Sequence, residues 1–188
     1  MPKYQPISVP VPLEASASDL VDIRWSKDRL GADFIVPDDN ARLLRVTFDR
    51  QCIVRLLDEM PLSTEQDDGP TEGLAAENFA YVVEGSAFAR TQSETWKEVF
   101  PSAKHYRFIT GWTCMDVLSS ASPSFELINR PSDDEVHAAA RILDREGRSH
   151  GWWPKAIAAC DDLDPIAKDE LSALVERMLA AAARERSN

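Results

Sequence analysis

The stretch KHYRFITGWTCMDVLSS, residues 104–120, brings His105, Trp112, Cys114 and Asp116 into seventeen residues. A thiol next to an imidazole is a nucleophile–base pair, and a carboxylate behind the imidazole would orient it. That chemistry requires side chains within hydrogen-bond reach, about 3 Å. Gly111-Trp112 fits a two-residue Gly-X hairpin loop. Counting outward sets Thr110 opposite Thr113, Phe108 opposite Met115, Arg107 opposite Asp116, Tyr106 opposite Val117 and His105 opposite Leu118. This register collects Tyr106, Phe108, Met115 and Val117 on one apolar face. It also faces Arg107 with an opposite charge, which favours it over one continuous strand. Cys114 then lies four residues along the ladder from His105, roughly 13 Å at ~3.3 Å per residue. Asp116 is diagonal to His105, close enough to tune its imidazole. The segment therefore reads as two strands, and no catalytic residue is assigned to it.

A second group lies in LDREGRSHGWWPK, where Arg145, Arg148, His150, Trp152, Trp153 and Lys155 are concentrated in an otherwise acidic chain. Indoles beside guanidinium groups can stack a planar or anionic ligand. Joined by Arg107 and Trp112, the residues Arg148, His150, Trp152 and Trp153 form a candidate ligand set. The competing reading is that the tryptophan pair fills core space.

A third group is acidic. The loop PLSTEQDDGPTEGLAAEN carries Glu65, Asp67, Asp68, Glu72 and Glu77, and no basic residue stands between Arg55 and Arg90. Glu65, Asp67, Asp68 and Glu72 are the candidate contacts for a basic protein partner. His137 follows Asp133 and Asp134 at helical spacing, but no second histidine or cysteine is near, so no metal is expected. DDLDPIAKDE lacks the glycine that a calcium loop requires at its sixth position. No glycine-rich phosphate loop, nucleophile elbow or paired-cysteine motif occurs, and no cofactor is expected.

These groups must be positioned by the rest of the chain. With 188 residues, 44% hydrophobic and 28% charged, it can bury a core as one domain. The net charge of −11 disfavours nucleic acid and anionic lipid, which need a basic face. No apolar run approaches the roughly 18 residues that span a bilayer. The proline-rich start lacks the pattern of a secretory leader. Cys52, Cys114 and Cys160 are too few and too scattered for a disulfide framework, so reduced thiols and a cytoplasmic location are expected.

Residues 1–18 read as an extended arm and 19–188 as a single α+β domain. DFIV is a short strand stopped by Pro37. In residues 42–60, Leu44, Val46, Phe48, Cys52, Val54 and Leu56 share one parity. The same parity allows a hairpin with Phe48 opposite Cys52, at the cost of Arg45 opposite Arg55, or a single long strand with a bulge. Gly85-Ser86 is a second hairpin loop, with Val83 opposite Phe88. SETWKEVF is a short helix capped by Ser93, and SFELIN is a further strand. Ser132 and Glu135 form a capping box for a helix closed at Gly147, whose buried stripe is Val136, Ala139, Ala140 and Leu143. A last helix, about 165–185, carries Ala167, Leu171, Leu174, Met178 and Ala182 as its stripe. That stripe packs on its own sheet or pairs with a second copy, so a homodimer is one of two expected arrangements.

The predicted architecture is an antiparallel, hairpin-built sheet over about 42–130, covered by helices over about 132–186. The predicted function is a non-catalytic binding protein with an acidic surface for a basic protein. The alternative is a small-molecule-binding domain or enzyme with an Arg/Trp-lined pocket.

Overall fold

The structure is a computed structural model, and it describes residues 1–49, 51–58, 71–152 and 163–185. The fold is α+β, and the chain divides into two compact units, residues 1–128 and 129–188.

The first unit holds the strands, β1 Lys3–Pro6, β2 Leu20–Trp25, β3 Arg29–Val36, β4 Asp39–Asp49, β5 Cys52–Asp58, β6 Ala80–Glu84, β7 Lys104–Phe108, β8 Thr113–Ser119 and β9 Ser124–Asn129. They form two antiparallel sheets, one ordered β1-β6-β7-β8-β5 and the other β2-β3-β4-β9. The sheets bury their apolar faces against each other. Leu30, Phe34, Leu44, Val46 and Phe48 of the four-stranded sheet meet Tyr106, Phe108, Met115 and Val117 of the five-stranded one. Aromatic rings span the gap, with Phe34 to Phe108 at 5.8 Å and Phe48 to Tyr106 at 5.3 Å between centroids. Burial of aromatic and branched side chains on both inner faces is the main stabilising contribution.

The β7–β8 ladder pairs His105 with Leu118, Tyr106 with Val117, Arg107 with Asp116 and Phe108 with Met115, the register that the Gly111-Trp112 loop predicts. The expected β4–β5 hairpin does not form. Phe48 is paired with Leu30 and Cys52 with Ser119, because the chain leaves one sheet after Asp49 and enters the other at Cys52. The like-charge pair of that hairpin is thereby avoided. Arg45 now faces Asp33 across β3–β4, and Arg55 faces Asp116 across β5–β8.

The sheet region also begins earlier than expected, since residues 3–6 pair with β6 and residues 20–36 form β2 and β3. Nor is Gly85-Ser86 a hairpin loop. Gly85 takes a left-handed φ of 67°, and Ser86 caps a short helix, α1 Ala87–Arg90, its hydroxyl accepting from the Ala89 amide. Val83 pairs with Tyr4 instead of Phe88. Helix α2, Glu94–Val99, is capped by Ser93 as predicted, although Val99 is exposed.

In the second unit, α3 spans Asp133–Ser149 with the Ser132–Glu135 capping box in place. The helix runs through Gly147, and the left-handed turn falls at Gly151. Helix α4, Pro165–Glu185, is capped by the Asp164 carboxylate, which accepts from the Ile166 and Ala167 amides. Val136, Ala140 and Val175 form the buried centre, packed by Ala139, Leu143, Leu171 and Leu179. The stripe of α4 is therefore Leu171–Val175–Leu179, and the predicted Leu174 and Met178 are exposed. The spacing of four from Leu171 was legible, but Val175 and Leu174 compete for the next place.

Candidate functional site

Alternation along β7 puts His105 and Arg107 on the outer face of the five-stranded sheet, away from the inter-sheet core. Asp116 lies opposite Arg107 on β8, and Arg55 lies opposite Asp116 on its other side, on β5. One carboxylate thus sits among three basic groups. His105 Nε2 is 2.8 Å from Asp116 Oδ1, Arg107 Nε donates to the same oxygen at 2.7 Å, and Arg107 Nη2 donates to Oδ2 at 3.1 Å. Arg55 donates to Oδ2 through Nε at 3.1 Å and Nη2 at 2.5 Å. The remaining Arg107 nitrogen, Nη1, donates to Tyr4 Oη at 2.9 Å, so β1 is tied to β7 across β6.

Phe88 of α1 closes the cluster from above. Its ring lies 5.4 Å from the imidazole, edge to face, and 4.3 Å below the Arg55 guanidinium carbon. The His105 side chain is completely buried, and its Nδ1 has no hydrogen-bond partner.

These contacts set the charge states. Burial pushes the Asp116 carboxyl upward, but hydrogen bonds from His105 and Arg107 and the Arg107 charge outweigh it and hold the group well below the usual carboxylate range. Burial drives the His105 imidazole below its ordinary value, assisted by the Arg107 and Arg55 charges and opposed by Asp116. An ionised Asp116 only accepts hydrogen bonds, so Nε2 carries the imidazole hydrogen and Nδ1 keeps a bare lone pair. The arrangement matches the base–orienter half of a catalytic triad. The thiol does not complete it, because Cys114 Sγ lies 3.7 Å from the Thr110 carbonyl and the ladder sets Cys114 four residues from the position opposite His105.

A second buried ion cluster was not anticipated. Arg45 donates to Asp33 through Nε and Nη2, both at 2.6 Å, and Arg24 donates to the same carboxylate at 3.2 Å. The Asp33 hydrogen bond raises the Arg45 guanidinium above its ordinary value despite burial. The signal available in the sequence was parity, since Asp33 and Arg45 alternate with core residues Ala32, Phe34, Leu44 and Val46.

No family model matches the chain, and no curated protein or solved structure matches it. Its chemistry must be read from the residues themselves.

Of the acidic candidates, Glu72 forms an exposed ion pair with Lys3 at 3.2 Å, while Glu65, Asp67 and Asp68 lie outside the described residues. Among the Arg/Trp candidates, Arg107 belongs to the buried cluster and Trp112 projects from the β7–β8 loop with 74% of its surface exposed. In the second unit Arg148 is bonded to Asp144 at 3.0 Å, and the His150 ring stacks on Trp152 at 5.4 Å. Trp153 and Lys155 lie outside the described residues. Among the described residues no group of three His, Cys, Asp or Glu side chains is placed to hold a metal ion. No described helix is long and apolar enough to cross a membrane.

Proposed function

We propose that the chain is a non-catalytic binding protein whose acidic surface engages a basic protein partner. The observation that carries this reading is the net charge of −11 together with the burial of Arg45 and Arg107 in ion clusters. Arg45, Arg55 and Arg107 are committed to Asp33 and Asp116, and these five groups together carry one net positive charge. The rest of the chain is therefore one charge more negative than the total of −11. A surface with this imbalance steers a basic partner towards it and repels anions. The free Cys52 thiol supports a reducing, cytoplasmic setting.

The test is titration of the full chain with a fluorescein-labelled octa-arginine peptide, read by anisotropy at low and at high salt. Binding that weakens steeply with salt is expected, as is its loss when Glu65, Asp67 and Asp68 are reversed to lysine. Binding unaffected by salt and by the reversal would refute the reading.

One observation favours a second reading, a site for a planar anionic ligand. The stacked His150 and Trp152 rings offer an aromatic surface next to Arg148. Quenching of tryptophan fluorescence by nucleotides or aromatic carboxylates, lost in Trp152→Ala, would support it.

A further inference from the structure

Strand β2 is an edge of its sheet. In the order β2-β3-β4-β9 it pairs with β3, and among the described residues no strand pairs with its other side. The Ser26 amide donates to the Arg29 carbonyl at 2.9 Å, closing the β2–β3 turn. Antiparallel ladders alternate, so the backbones of Arg24 and Asp22 also face β3, opposite Gly31 and Asp33. The N–H and C=O groups of Ile23 and Trp25 therefore point out of the sheet, as a template for a further strand.

The side chains along this edge are of two kinds. Ile23 and Trp25 stand opposite Ala32 and Leu30 on the face that joins the inter-sheet core, and Ile23 packs against that core. Trp25 nevertheless keeps 54% of its surface exposed, and Val21, which the register shift leaves without a β3 partner, keeps 49%. On the opposite face Arg24 contacts Asp22 and donates to Asp33 at 3.2 Å, and the Asp22 and Arg24 side chains both remain partly exposed.

Edges are commonly protected by proline or by lysine side chains. Leu20–Trp25 contains neither, and its two charges are opposite in sign and two residues apart. A two-fold antiparallel pairing of two such strands must match outward-facing backbones with each other. Centred on Asp22 or on Arg24, it sets like charges face to face. Centred on Ile23, it sets each Asp22 opposite the Arg24 of the second copy. That register exchanges two hydrogen bonds between the facing Ile23 backbones and brings each Trp25 opposite a Val21. The Asp22 and Arg24 positions are then the closely spaced ones, about 4.5 Å between Cα atoms, where cross-strand side chains approach best.

We infer that β2 is a dimerisation edge, pairing antiparallel with the β2 of a second copy about Ile23, so that the two four-stranded sheets continue as one. Charge complementarity along the strand selects this occupant, because an unrelated strand gains the backbone hydrogen bonds without both ion pairs. The net charge of −11 opposes approach at long range, but at physiological ionic strength that repulsion is screened beyond about 8 Å.

Sedimentation velocity of the full chain over a concentration series tests the pairing, and a monomer–dimer equilibrium is expected. Asp22→Lys and Arg24→Glu, each alone, set like charges at both contacts and are each expected to weaken the dimer about tenfold. Mixed one to one, the two variants regain opposite charges at both contacts, so a heterodimer within a few-fold of the unsubstituted affinity is expected. Unchanged thermal midpoints establish that the variants are folded. Independently of any variant, exchange of the outward-pointing Ile23 amide with solvent is expected to slow as the concentration of the unsubstituted chain rises. A chain that stays monomeric up to millimolar concentration, with a fast Ile23 amide, overturns the pairing and leaves this edge to solvent or to a strand of another protein. A dimer that ignores both substitutions and leaves the Ile23 amide fast also overturns it, and moves the association to another surface, such as the exposed Leu174 and Met178 of α4.

Discussion

Asp116 accepts hydrogen bonds from His105, Arg107 and Arg55, so a single carboxylate neutralises basic groups from β7 and β5 on either side of its own strand. It is 2% exposed.

Removing that carboxylate leaves the buried Arg107 guanidinium without the anion it donates to. Asp116→Asn is expected to lower unfolding stability by about 3–5 kcal/mol, the range found when one partner of a buried ion pair is removed. Urea unfolding of the two proteins at neutral pH measures it. A loss below about 1 kcal/mol would mean that water reaches the site freely.

The imidazole makes stability depend on pH. Its folded-state value lies below the ordinary 6.5, so the unfolded chain binds the proton more readily. The contribution is complete above that pH and is lost as the pH falls through it, at up to about 1.4 kcal/mol per pH unit. A second loss, from Asp116, begins as the pH falls below the ordinary 3.8, because that carboxyl is held lower in the folded state. Unfolding midpoints measured from pH 8 to pH 5 should decline in the unsubstituted chain and decline less in His105→Gln. Parallel profiles for the two proteins would remove His105 from the account.

Gly73 has a φ of 80°, and a Cβ there would lie 2.2 Å from the Tyr4 carbonyl oxygen. Gly73→Ala therefore combines backbone strain with a collision against main chain, and about 2 kcal/mol or more of destabilisation is expected. Amide exchange should accelerate in β1 more than in β8. Uniform exchange rates across both strands would contradict the local account.

Neither described thiol is expected to react in the folded protein. Burial, helped by the charge of Asp49, pushes the Cys52 thiol up to about 11, and Cys114 is enclosed. In a Cys160→Ser background, iodoacetamide at neutral pH should label the native protein far more slowly than the urea-unfolded chain. Equal rates would show a thiolate that this fold does not account for.

Much of the five-stranded sheet's centre was legible, because local turn chemistry and alternation fixed the same answer. Gly111-Trp112 set the β7–β8 register, which in turn placed Arg107 opposite Asp116 and separated Cys114 from His105. What could not be read was any pairing decided by distant partners. Phe48 and Cys52 have compatible parity for a hairpin, and only Asp33 and Asp116, at remote positions in sequence, give Arg45 and Arg55 better neighbours. Ser86 is equally apt as a turn residue and as a helix cap, and the cap prevailed. Of the candidate site, Trp112 and the acidic character were visible. The close approach of Gly111 to Ser16 was not, since it joins loops some ninety residues apart.

The pairing of β1 has a consequence for how the protein is made. Lys3 pairs with Glu84 and Pro6 with Tyr81, so β1 has no seat in the sheet until β6 has been synthesised. The β2–β3–β4 meander can form from near neighbours in the meantime, whereas β5 must wait for β8. The five-stranded sheet is thus assembled late and from its middle outward, with both border strands arriving as long-held, unattached chain.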